Sequence, residues 1–124
     1  MEMIAEIIKN LLPQDIQGFT CIGELPTDND NCASIAEVGG PHGLYFAKTR
    51  LDTPYVKIVV RNSSYSRGYA VIKTIKNLLA NYSDHQTFGM VLTGDIMYFG
   101  RDDKRRNLWQ LTFKIFSYVG GQND

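Results

Sequence analysis

Residues 107–119 carry the pattern that most restricts what this chain can become. Trp109, Leu111, Phe113, Ile115 and Val119 alternate with Gln110, Thr112 and Lys114. A period of two is met only by a β-strand with one face buried and the other wetter. Such a strand needs partners on both sides and an apolar layer over its buried face. The chain must therefore supply a sheet and something to cover it.

The partners are visible upstream. Residues 55–61 place Val56, Ile58 and Val60 on one side and Tyr55, Lys57, Val59 and Arg61 on the other. Residues 19–22, 32–38, 88–93 and 96–99 read as shorter strands, and 44–47 as a further extended piece. The cover is helical. Ile4, Ile7, Ile8, Leu11 and Leu12 recur at i, i+3, i+4, i+7 and i+8, and Pro13 stops that helix. Asn62-Ser63-Ser64 offers side-chain acceptors to a second helix start. Tyr65, Tyr69, Ile72, Ile75, Leu79 and Tyr82 then mark its expected buried stripe, with Gly68 a local weakness in the second turn. The order predicts an α+β fold: one mainly antiparallel twisted sheet with two helices packed on one face, in a single domain over residues 1–124. The tail after residue 119 is expected to fray.

Charge narrows the function. Thirteen basic and thirteen acidic residues cancel, which disfavours a polycation that must neutralise many phosphates. The cancellation hides a split: residues 1–38 set Lys9 against seven acids, a net of −6, and the remainder sets twelve bases against six acids, a net of +6. Segregated halves suit a protein that meets a complementary surface, a second copy of itself included.

Candidate chemistry is thin. The acidic start lacks the positive region of a secretory signal, and no apolar run reaches membrane-spanning length, so a cytosolic, non-membrane protein is expected. Cys21 and Cys32 fit no metal or redox spacing and read as small strand hydrophobes. His42 and His85 have no third ligand or catalytic group at a recognised spacing. Gly39-Gly40-Pro41-His42-Gly43 reads as a turn, although a small nucleotide-binding or hydrolytic domain using that loop and His42 stays open as the alternative. Asp102 and Asp103, enclosed by Arg101, Lys104, Arg105 and Arg106, read as a hairpin with internal ion pairing rather than a metal pair. Tyr98-Phe99 stands apart: adjacent strand residues face opposite sides, so one aromatic is expected on the outer face, where it favours association. No enzyme and no cofactor are expected.

Three segments taken together resemble a known family. They are Ile22-Gly23-Glu24-Leu25-Pro26 with Asn31-Cys32 and Glu37-Val38-Gly39-Gly40-Pro41; the strand-to-helix step from Val56 through Arg61-Asn62-Ser63-Ser64-Tyr65, with Ala70; and Tyr98-Phe99-Gly100-Arg101-Asp102-Asp103-Lys104-Arg105-Arg106. In order and spacing the chain is similar to the small minor capsid proteins of tailed bacteriophages, themselves like tail-terminator (tail-completion) proteins. The resemblance implies a structural virion protein of the tail or neck, assembled in the host cytoplasm. It implies a homo-oligomeric ring, usually a hexamer, that caps the tail tube protein, stops polymerisation and meets the head-completion protein, while DNA passes through the lumen unread. It implies no catalysis. By matching positions, Arg61 and Tyr65 at the strand-to-helix step, and Arg101 and Asp102 on the late hairpin, are expected at subunit contacts beside Tyr98 and Phe99.

Overall fold

The computed structural model describes residues 4–38, 55–83 and 88–117. The segment 44–47, the Gly39–Gly43 turn with His42, and His85 and Val119 lie outside the described residues. The elements are α1 (Ile4–Leu11), α2 (Gln14–Gln17), β1 (Thr20–Ile22), β2 (Cys32–Val38), β3 (Tyr55–Asn62), α3 (Tyr65–Leu79), β4 (Phe88–Leu92), β5 (Met97–Arg101) and β6 (Asn107–Ser117).

The alternating strand is the hub. β6 pairs antiparallel with β3 along one side, and on the other with β4 at its C-terminal half and β5 at its N-terminal half. The sheet runs β1-β2-β3-β6-β4, with β5 also on β6. Register explains the core: Val60 faces Trp109, Ile58 faces Leu111 and Val56 faces Phe113, while Ile35 and Ala33 of β2 continue the same rows. All of these are buried, together with Ala5, Ile8, Leu12 and Ile16 from the first two helices and Ile72, Ile75 and Leu79 from α3. The helices thus cover one face of a mainly antiparallel sheet, as the patterning predicts.

Two features depart from expectation. Pro13 does end α1, but α2 begins directly after it, because a residue with φ fixed near −60° and no amide to satisfy suits a helix start. The first strand pairs parallel to the second, so residues 23–31 must cross from one end of the sheet to the other.

The stripe on α3 also needs correction. Ile72, Ile75 and Leu79 are buried, yet Tyr65 is 54% exposed and Tyr69 39%. The buried position in the first turns is Gly68 instead. A Cβ there would fall on Trp109 Cζ3, 2.6 Å from Cη2 of the same ring and 2.8 Å from the Asn62 Cβ. Only a residue without a side chain lets the helix start lie flat on the indole, which outweighs its poor helix propensity. The helix start itself is capped as expected: Ser64 Oγ accepts from the Arg67 amide at 3.3 Å, and Asn62 Oδ1 from the Ser64 amide at 2.9 Å.

Candidate association surface

Two groups of residues gather near the start of β6, and they behave in opposite ways. The first is a closed clamp. Arg61, at the end of β3, and Arg106, just before β6, are each only 6% exposed. Arg61 Nε donates to the Asn29 carbonyl at 3.1 Å, and its Nη2 donates to the carbonyls of Pro26 and Asn29. Arg106 Nη1 donates to the carbonyls of Thr27 (3.1 Å) and Asn29 (3.4 Å) and lies 3.5 Å from the Asp30 carboxylate. Its Nε donates to Asp102 at 2.9 Å. The crossing loop has few backbone partners of its own, and two guanidiniums supply donors in a fixed fork for its carbonyls.

Asp102 completes the clamp. Its carboxylate accepts from the amides of Lys104 and Arg106, both at 2.9 Å, and from the Arg106 side chain. The Arg106 amide, chiefly, with the Lys104 amide and the guanidinium, holds the carboxyl below its ordinary pKa. Internal ion pairing of this hairpin is therefore present, as the sequence suggests. Arg105 takes φ 63° at the turn, a left-handed conformation costing roughly 1 kcal/mol or more for a side-chain-bearing residue. Beside the clamp, burial pushes the Cys32 thiol up, with Arg61 opposing; Cys21 and Cys32 are both free thiols on strands.

The second group is open. Tyr98 pairs with Trp109 across the strands, but a bulge between Tyr98 and Gly100 leaves Phe99 without a partner on β6. The bulge breaks alternation, so where one aromatic is expected on the outer face, both are exposed. Tyr98 is 44% exposed and Phe99 52%, next to Met97 at 53%. Tyr98 leans on Trp109 at 5.2 Å and meets Tyr65 edge-on at 5.3 Å, and Tyr65 stacks with Tyr69 at 6.4 Å. Its hydroxyl donates to Asn107 Oδ1 at 2.6 Å, and Asn107 Nδ2 donates in turn to the carbonyls of Asn62 and Ser63. The patch is thus rigidly mounted on the helix start while its outer surface stays bare.

Of the six residues expected at subunit contacts, Tyr65, Tyr98, Phe99 and Arg101 reach the surface here. Arg61 does not; it is buried and engaged within its own chain. Asp102 is partly covered and serves the hairpin turn. Sequence reasoning missed Arg106 and Tyr69. A charged run gives no sign of which member is buried, and Tyr69 sits at a helical spacing that normally signals core. Among the described residues no three His, Cys, Asp or Glu side chains gather as metal ligands, and no helix is long and apolar enough to cross a membrane.

The site is thus a sheet with one helix-covered face, an ordered hairpin and an exposed aromatic patch beside it. The family model of the bacteriophage tail terminator protein matches residues 7–118. The chain belongs to that family, and its role is a structural one in the phage tail. No curated protein matches the sequence.

Proposed function

We infer that the protein is a ring-forming tail terminator. Copies join head to tail, as a hexamer on the virion, and the ring caps the tail tube, stops its polymerisation and presents a surface to the head-completion protein. DNA passes through the lumen without being read, and the protein carries out no catalysis and uses no cofactor. The observation that carries this reading is the bare patch of Tyr65, Tyr69, Met97, Tyr98 and Phe99 on a chain of the terminator family. Aromatic side chains held rigid before contact lose little entropy on association and supply much of its affinity. Closed rings need two unlike surfaces on every subunit, and the opposed charges of the two parts of the chain favour such a pairing.

The test is to add the protein to growing tail tubes and image their ends by electron microscopy. Capped tubes of arrested length are expected. Tubes that keep growing with bare ends would overturn the reading.

A further inference from the structure

The order of strands sets β1 at one edge of the sheet, with β4 and β5 sharing the far side of β6 at the other. At the β5 end the exposed Met97, Tyr98 and Phe99 are bordered by the exposed cations Arg101, Lys104 and Arg105. The β1 end has the complementary character. There α1 packs on β2 and β1, and α2 on β1. Ala5, Ile8 and Leu12 of the first helical segment are buried, but Ile4, Ile7 and Leu11, at i, i+3 and i+7, are only half-buried. These three pack against the core with part of their surface left open, and a helix row of that spacing can serve as a contact surface for another element. The same end exposes Glu6, Asp15 and Glu24, and Lys9 is the one base between residues 4 and 24.

Resting on the ring reading, we propose that β5 of one copy packs on α1 of the next copy. Tyr98 and Phe99 cover the Ile4, Ile7 and Leu11 row, and Arg101 and Lys104 face Glu6 and Asp15. The two surfaces lie at opposite ends of one sheet, so the contact is heterologous and repeats around a ring instead of closing a two-fold dimer. The clamp matters here as well: within the hairpin it commits Arg106 and Asp102 internally, leaving Arg101, Lys104 and Arg105 displayed outward beside one exposed acid, Asp103.

A charge exchange tests the pairing. Ring formation is followed by native mass spectrometry of the free protein and by electron microscopy on purified tail tubes of the parent phage. Phe99→Asp should abolish rings with an unchanged thermal melt, whereas Leu78→Asp, at an exposed apolar site in the last turn of α3, should leave them intact. Arg101→Glu with Lys104→Glu, and separately Glu6→Lys with Asp15→Lys, should each raise the concentration for half-assembly by about tenfold or more. The four changes combined restore opposite signs across the contact and should recover assembly. If the fourfold variant assembles no better than the double variants, or Phe99→Asp assembles as Leu78→Asp does, this contact is wrong while the ring stands. If free rings persist in Phe99→Asp and only capping is lost, β5 meets the tube and not a second copy. Wild-type protein that neither forms rings nor caps tubes overturns the ring and this contact together.

Discussion

The closed clamp and the open patch lie side by side at the start of β6, and each reverses its local pattern: arginines are buried in the one, and tyrosines of a helical stripe are exposed in the other. In the clamp, two arginines leave solvent to bind the carbonyls of residues 26–29, and each gives up hydration that the fixed acceptors replace. In the patch, three tyrosines, Met97 and Phe99 remain in solvent although burying them would be favourable. The difference teaches where each element's energy is spent. The clamp is self-sufficient, so the charges of Arg61, Arg106 and Asp102 say little about partners. The β5 edge keeps its apolar surface exposed, and the proposed association would cover it.

The largest expected effect breaks the closed side. Arg106→Ala leaves Asp102 without its cation and the carbonyls of Thr27 and Asn29 short of a donor, at a cost of about 3 kcal/mol from the lost charge-assisted hydrogen bonds; denaturant titration of the purified variant measures it. A loss below about 1 kcal/mol would show that the clamp is ornamental. Next comes the platform that both regions share. Gly68→Ala forces the first turns of α3 off Trp109 and should cost about 3 kcal/mol, with a change in tryptophan fluorescence as the indole is displaced. A gain in stability, as helix propensity alone would give, would refute that packing.

The open side should respond in the reverse sense. Tyr69→Ser and Phe99→Ser remove half-exposed groups and should change unfolding free energy by less than about 1 kcal/mol, while weakening assembly far more, as read by native mass spectrometry. Assembly through rim charges should also fall as salt rises, since a Debye length shrinks from about 10 Å at 0.1 M to about 3 Å at 1 M.

The smallest effect is the pH response of the clamp. Asp102 has its pKa lowered below the ordinary 3.8, so its contribution is present in full above that value. It is lost as pH falls through the lower, folded-state pKa. Acid titration of the melting temperature should therefore show a shallower fall in Asp102→Asn than in the wild type, below about pH 4. Identical slopes would remove Asp102 from the clamp.

Much of the fold is legible in local pattern. The alternation of residues 107–115 places Trp109, Leu111, Phe113 and Ile115 on the buried face, and β2, β3 and the cap at Ser64 fall where strand and capping rules put them. Less of the candidate surface is legible. Tyr98 and Phe99 stand out as adjacent strand aromatics, but the bulge that exposes both depends on Gly100 at φ 87° and on the register with β6. Arg61, expected at a subunit contact, serves its own loop.

The sequence by itself determined α1, α3 and the main strands and the face that β3 and β6 turn to the core, because side-chain direction is set by the two- and 3.6-residue periods of the backbone. It also determined the family, through the order of its segments. Only the tertiary structure decided how far each neighbour extends. Tyr65 and Tyr69 lie along the apolar side of α3, but Gly68 takes the buried place against Trp109 and leaves both rings in solvent. Arg106 finds the Thr27 carbonyl across 79 residues of chain. Periodicity records direction along one element, whereas burial and the pairing of distant charges depend on what the rest of the fold brings alongside.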